Sequence, residues 1–407
     1  MSTLAAGKRA GTVASLGTAQ TLAWASTYYL PAILAAPMAR ELGISVPTVF
    51  AAFSVALIAS ALIGPRSGAA IDRLGGRPVL MATSVVFALG LAGLGMAQGP
   101  AGLFAAWIVL GIGMGSGLYE SAFASLVRLY GQDARTSITG ITLIAGFAST
   151  VGWPLSAWLE SQYGWRHACF VWAALHLLIG LPLNALLPRP APASEPAVAT
   201  SSPAIEVQRR DEAPAWRSML TLSFVFATTW FISTAMAAHL PRLMQAAGAT
   251  LATAVLVGSL IGPAQVAARV AEFGLLRRVH PLRSARLASA MHPIGVGVLL
   301  VGGPALAPLF GVLHGAGNGI LTIAKGTLPL VLFGSTGYGA RQGWLMVPAR
   351  VAQALAPFLF GVALDRLQAG ALWVTAGLGL AGFAALLTLR APAPADAAGI
   401  LSPGPSR

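Results

Sequence analysis

Charged residues make up only 9% of this 407-residue chain, and Glu120, Lys325 and Arg350 stand well inside long apolar runs. A charge at the centre of a membrane-spanning helix costs about 2.5–3.5 kcal/mol on insertion scales, so each needs a partner or a water-filled cavity. A buried carboxylate is pulled in opposite directions by desolvation and by a nearby cation, so a change of surroundings can make it bind or release a proton. Glu120 is the residue placed for that chemistry. A desolvated cation without a permanent counterion is matched by a transient one, which suits Lys325 and Arg350 to a substrate anion. Two cations against one carboxylate lean towards an anionic substrate. Two other readings of Glu120 and Lys325 stay open, a structural or gating salt bridge and snorkelling to the lipid boundary.

Helical spacing gives these residues companions. His314, Asn318 and Lys325 are four and seven apart and share one face at about 100° per residue, a stripe suited to lining a cavity. Ser116 with Glu120, and Arg350 with Gln353 and Pro357, are grouped in the same way. Trp24 and Tyr28 share a face and Trp230 holds the matching place later in the chain, so a paired aromatic wall around a substrate stands beside ordinary packing or interfacial anchoring. Gln265, Arg269 and Glu272 share a face near a helix end, where Arg269 and Glu272 suit a gate pair or a solvated terminus. His176, His239, His292 and His314 read first as hydrogen-bonded packing residues.

The elements that must position these side chains follow from composition. With 56% hydrophobic residues and a mean hydropathy of +0.75, the chain has more apolar surface than a soluble core can hide. Runs of about 20 residues, enough to cross a hydrocarbon core of roughly 30 Å, recur at 14–37, 48–70, 79–97, 102–127, 137–158 and 167–187. A Pro/Ala/Ser-rich stretch from Pro188 to Ala215 follows, and six more runs lie at 217–239, 250–270, 285–304, 307–332, 342–362 and 371–389. The expected fold is an all-α membrane protein with twelve transmembrane helices in two pseudo-symmetric six-helix bundles. The expected divisions are 1–187 and 217–390 for the bundles, 188–216 for a cytoplasmic central loop, and 391–407 for a cytoplasmic tail.

The net charge of +13 would suggest nucleic acid in a soluble protein, but these basic residues fall in gaps between apolar runs and read as topology signals. With the N-terminus in the cytoplasm, most of the 25 Lys/Arg lie on the inner side, including Arg73, Arg77, Arg128, Arg135, Arg209, Arg210, Arg277 and Arg278. Only Arg40, Arg166, Arg242 and Arg366 lie outside. The single cysteine, Cys169, allows no intrachain disulfide and no thiolate cluster; no metal or cofactor is expected. Trp24, Met38, Gly111, Gly113 and Arg135 recur at one constant offset as Trp230, Met244, Gly317, Gly319 and Arg341, as duplicated halves would. No HExxH, GxSxG or P-loop is present, which disfavours hydrolase chemistry and ATP-driven transport.

Twelve spans, a long central loop, and the sequence Gly68-Ala-Ala-Ile-Asp72-Arg73-Leu-Gly75-Gly76-Arg77 after the second span together resemble the major facilitator superfamily over nearly the whole chain. The resemblance implies a close helix contact at Gly68, a charge link from Asp72 to the cytoplasmic end of a neighbouring helix, and loop salt bridges for Arg73 and Arg77. Those contacts would latch the cytoplasmic side. It also implies that spans one, four, seven and ten surround a central path, so that Glu120 and Lys325 are placed to meet across the halves. Gly76 departs from the pattern, which often has a basic residue there. The fourth-span arginine of many members is missing, its place falling near Trp107, and Gly152-Trp153-Pro154 interrupts the glycine-proline pair of drug antiporters. The expectation is a multi-pass secondary transporter of a small solute in the inner membrane, proton-coupled, acting as a monomer without nucleic acid or enzymatic activity. The alternatives are an efflux carrier for amphipathic toxicants and a transporter-like sensor.

Overall fold

The computed structural model describes residues 3–189, 215–275 and 279–390. Arg209, Arg210, Arg277, Arg278, most of the central loop and the tail from 391 lie outside the described residues. Within them every regular element is helical, as expected of a chain that must satisfy its backbone polar groups inside lipid. Seven helical stretches are long and apolar enough to cross a membrane. Three of these, 100–185, 281–333 and 338–388, are longer than one crossing needs. They divide at Gly131, Gly164, Gly303 and Gln368, whose φ values of 55°, 81°, 66° and 50° interrupt the helical path. With those divisions and a first span that falls short of an unbroken helix, the described residues group into twelve helical segments, which fit the expected twelve spans.

Three passes are interrupted, which their apolar runs did not reveal. The fifth divides at Gly146–Phe147, between Ala134–Ala145 and the helix from Ala148. The first consists of Thr3–Ser26 and Pro31–Leu42; Pro31 has no N–H to continue the ladder, and Tyr29 N–H instead reaches the Trp24 carbonyl at 3.1 Å. The fourth consists of Pro100–Gly117 and Tyr119–Tyr130, separated by an extended Leu118. That break corrects the pairing of Ser116 with Glu120 on one helical face. Ser116 donates back to the Ile112 carbonyl at 2.7 Å, while Glu120 begins a new helix in the first turn after the break.

The two halves repeat the same packing. Span two lies on four as eight lies on ten; three lies on four as nine lies on ten; one lies on five as seven lies on eleven. Small residues make the closest of these contacts. A Cβ added at Gly115 would stand 2.6 Å from the Ser60 carbonyl oxygen, and one at Gly315 would stand 2.6 Å from that of Ile261. Such backbone proximity is how helices associate where lipid supplies no hydrophobic drive between them.

Across the halves, span two (Val46–Leu74) packs along span eleven (Tyr338–Leu367). Gly68 meets the Gly339 backbone so closely that neither could carry a side chain unmoved, and a Cβ at Gly343 would stand 2.7 Å from the Gly64 carbonyl oxygen. Asp72 accepts from the Gly339 and Ala340 N–H groups, both at 2.9 Å, which caps the positive end of span eleven. Arg128 Nε donates to the Asp72 carbonyl at 3.1 Å. Among the described residues the ion pairs include neither Arg73 nor Arg77, so the loop salt bridges implied for them are replaced by this cap.

At the opposite end, Glu41 accepts from Arg166 Nε at 2.7 Å and Trp165 Nε1 at 2.6 Å. These donors hold its carboxyl below the usual carboxylate range. Arg166 also donates to the Gly95 and Ala97 carbonyls, tying three connections of the first half together.

Replacing Gly68 with valine is expected to separate spans two and eleven and to destabilise the protein by about 1–3 kcal/mol, the range for overpacking. Thermal unfolding of the purified variant measures this, and an unchanged midpoint would contradict the contact.

Candidate functional site

The break in span four places Glu120 at the start of Tyr119–Tyr130, where the first-turn N–H groups favour a carboxylate. Its Oε1 lies 2.9 Å from Lys325 Nζ of span ten and its Oε2 lies 3.0 Å from Arg350 Nη2 of span eleven. Lys325 and Arg350 side chains are 1% and 3% exposed and Glu120 is 12% exposed. The cluster therefore holds one negative and two positive charges away from water, with a net charge of plus one. Glu120 and Lys325 meet across the halves as the resemblance implied, and Arg350 shares the same carboxylate.

Arg350 continues the network, with Nη1 donating to Gln353 Oε1 at 2.9 Å and Gln353 Nε2 donating to the Tyr28 hydroxyl at 3.1 Å. Tyr28 in turn lies 3.4 Å from Thr234 Oγ1 of span seven. One polar chain thus links spans four, eleven, one and seven. Below it, Gln342 donates to the Lys325 carbonyl at 3.1 Å and Tyr338 to the Gly326 carbonyl at 2.7 Å, which holds span ten to span eleven beside the charges.

Aromatic rings enclose the lysine. Nζ lies 4.6 Å from the centre of the Trp230 ring, 5.3 Å from Tyr119 and 5.9 Å from Phe123, within cation–π range. Trp24 packs on Tyr119 and Tyr28 at 4.9 and 5.2 Å. Trp24 and Trp230 both stand at this centre, each beside a different partner. The Trp24 indole N–H and the Gln342 carbonyl oxygen are buried without a hydrogen-bond partner, which leaves one donor and one acceptor near the cluster unspent. Leaving such groups unmet costs about 1–3 kcal/mol each.

His314 and Asn318 do not join Lys325. They line a separate cavity of about 30 Å³ inside the second half, shared with Thr228, Thr229, Ser289 and His292, and His314 Nδ1 lies 3.1 Å from His292 Nδ1. The shared helical face was real, but eleven residues at about 1.5 Å each carry it past different neighbours along its length. The expected gate pair is also redistributed. Glu272 pairs with Arg135 of span five at 3.4 Å, and Arg269 donates to the Thr142 carbonyl at 3.1 Å and to Gln265 at 3.3 Å. Both residues therefore bridge span eight to span five, each with its own partner.

Sequence reasoning missed Tyr119, Phe123, Tyr338 and Gln342 as members of the centre. Their signal was present in Gln342, a polar residue at 0% exposure in an apolar run; the aromatic residues carried none that separates them from core.

Comparison with known proteins places this arrangement in context. The sequence model described as Major Facilitator Superfamily matches residues 16–310. A Thermoproteus tenax protein, described as an uncharacterized 38 kDa protein in the 23S RNA operon, is 30% identical over 370 residues, which is 89% of this chain and 92% of that protein. Among solved structures the chain is similar to the human organic anion transporter MFSD10, with a TM-score of 0.67 and 19% identity over 93% of this chain and 99% of that one. It is similar to the transporter FucP in its outward conformation, at 0.69 and 15% over 92% and 97%. It is also similar to the proton:xylose symporter XylE bound to 6-bromo-6-deoxy-D-glucose, at 0.71 and 12% over 92% and 95%. At those identities the structural likeness concerns the fold.

Removing Glu120 alone leaves Lys325 and Arg350 buried beside each other. Glu120→Ala is expected to cost about 3–5 kcal/mol, the range for breaking a buried pair from one side, and a further Lys325→Met change is expected to recover part of it. Thermal unfolding of the single and double variants decides this, and a double variant less stable than Glu120→Ala would contradict the shared-carboxylate arrangement.

Proposed function

The chain belongs to the Major Facilitator Superfamily and is a multi-pass membrane protein and secondary transporter of small solutes, and we propose that its substrate is an organic anion carried together with a proton. The observation that carries this reading is the single carboxylate shared by two buried cations. When a substrate carboxylate takes Lys325 and Arg350, Glu120 loses both partners, and a buried carboxylate without a cation takes a proton in preference to staying charged. Anion and proton then enter together, and the net charge of the buried cluster stays at plus one throughout. No step requires an extra charge to be moved into the low-dielectric interior, where each would be costly.

The Trp230, Tyr119 and Phe123 rings around Lys325 and the unpaired Trp24 indole N–H suit an anion with an apolar or aromatic body. The likeness to MFSD10, an organic anion transporter, and to XylE, a proton:xylose symporter, supports the substrate class and the coupling ion by analogy of fold. Movement follows from the packing. We place both termini in the cytoplasm of an inner membrane by the distribution of basic residues, so that the Asp72 end faces inwards. The halves 1–187 and 217–390 rock about the central site, and the Gly68–Asp72 contact with span eleven closes the inner side between them. The protein works in this scheme as a monomer. Arg269 and Glu272, through span five, close the second line of contact at that end.

Proteoliposomes separate the two parts of the proposal. Glu120→Gln removes the titrating group and is expected to lower proton-driven accumulation of a carboxylate substrate by roughly tenfold or more while exchange of the same substrate persists. Accumulation with its full pH dependence intact in that variant would contradict coupling at Glu120.

A further inference from the structure

Outside the central site, the first half contains a second buried cluster that the transport scheme does not use. Gln20 of span one, Ser84 of span three, and His176 and Asn184 of span six line a cavity of about 10 Å³, room for the centre of one water-sized occupant. The orientation of each amide is set by its donors. Gln20 Nε2 donates to the Gly117 carbonyl at 2.6 Å, and Asn184 Nδ2 donates to the Leu80 carbonyl at 3.2 Å and to Ser84 Oγ at 3.0 Å. Flipping either amide would set oxygen against oxygen. Both side-chain carbonyl oxygens are thereby turned away from every donor, and both are buried without a partner in residues only 2% and 7% exposed.

The histidine adds a third acceptor. Ser26 Oγ donates to the Leu22 carbonyl at 2.8 Å, so it accepts from His176 Nε2 at 2.8 Å, and His176 Nδ1 is left with a lone pair. A Cβ added at Gly180 would stand 3.1 Å from Leu22 Cδ2, 3.3 Å from that Nδ1 and 3.6 Å from Ser84 Oγ, so a methyl group there would crowd the cavity wall between the two polar atoms. Ser84 spends its hydrogen on the Leu80 carbonyl at 3.2 Å and offers only lone pairs. Four acceptors from three spans therefore belong to residues that line this cavity, and neither amide oxygen receives a hydrogen bond. A water there could donate to two of them but would find no donor for its own lone pairs. A cation needs acceptors only.

Three interruptions of regular helix converge on this place. Span one breaks just after Ser26, span four breaks just after Gly117, and span six widens into a π-helical turn at His176–Gly180. Interrupted helices inside a membrane are tolerated where they are buried or line a cavity, and their freed backbone groups are where transporters hold coupling ions. No carboxylate lines the cavity, so an ion there is met by neutral dipoles alone, and a monovalent ion costs less than a divalent one. We propose that the cavity walled by Gln20, Ser84, His176 and Asn184 binds a small monovalent cation, sodium being the one its oxygen-rich lining fits. The Gly117 carbonyl held by Gln20 is one residue before the Leu118 break and three before Glu120, so an ion bound there stiffens the segment that presents Glu120 to its cations.

The proposal is independent of the anion reading, because its test needs no substrate. The purified full-length protein is heated in sodium chloride and in choline chloride at equal ionic strength. The expected result is a saturable rise in the unfolding midpoint with sodium alone, of the form that ligand binding to the folded state produces. Gly180→Ala, which crowds His176 Nδ1 and Ser84 Oγ with a methyl group and keeps all four polar residues, is expected to abolish that rise. Asn184→Asp adds a charge beside the ion and is expected to lower the half-saturating sodium concentration by about tenfold or more. Superimposable sodium and choline curves in both the wild type and Asn184→Asp would overturn the proposal and leave a cavity that holds water only. Sodium stabilisation that survives Gly180→Ala at its wild-type midpoint concentration would overturn it as well, by placing the ion elsewhere. If Gly180→Ala does not fold, the shift in Asn184→Asp decides.

Discussion

The structure depends on one carboxylate shared between two cations from the opposite half of the chain. Glu120 stands between Lys325 at 2.9 Å and Arg350 at 3.0 Å, in an interior where an unpaired charge would be costly. That constraint explains several features that have no separate reason. The fourth span must break at Leu118 so that Glu120 starts a new helix with its N-terminal N–H groups beside it. The aromatic rings beside Lys325 supply attraction without a second permanent anion, so the net positive charge survives. Gln342 and Tyr338 pin spans ten and eleven to each other through the Lys325 and Gly326 carbonyls, which keeps both cations on one side of the interface.

Contacts at the Asp72 end are built from different physics. There, backbone meets backbone at Gly68 and Gly339, and a carboxylate caps a helix end. Such a contact is all-or-none, because a glycine-to-glycine approach loses its close packing once the helices part, and the two N–H groups lose their acceptor with it. The Arg135–Glu272 pair and the Arg269 bond to Thr142 make a second line at the same end. Polar bonds at the centre and close packing at one end suit a protein whose halves rotate as bodies about a fixed middle.

Much of this was legible in the sequence, for reasons that differ by element. The twelve passes were readable because an apolar run long enough to cross lipid has few other uses, and the helices Val46–Leu74, Gly76–Met96 and Leu251–Gly274 fall where the runs predict. Glu120, Lys325 and Arg350 stood out because charges in apolar runs are rare and expensive. What stayed hidden was depth and direction. His314 and Lys325 share a helical face but not a neighbour, and periodicity carries no information about which helix a face meets. The break at Leu118 was hidden as well, since a glycine-rich stretch reads equally as close packing or as a break. Arg269 and Glu272 were expected as a gate pair or as a solvated helix end, yet their partners, Thr142 and Arg135, lie over a hundred positions away.

The central claim is that a substrate anion takes the two cations away from Glu120 and that the carboxylate then takes a proton. Infrared difference spectroscopy of the purified transporter, recorded on adding a carboxylate chosen for its thermal stabilisation of the protein, observes that event at the group itself. The account predicts the appearance of a protonated-carboxyl stretch together with the loss of a carboxylate band, both absent in Glu120→Gln. Anion binding with no change in the carboxyl region, or with the same change in Glu120→Gln, would contradict it.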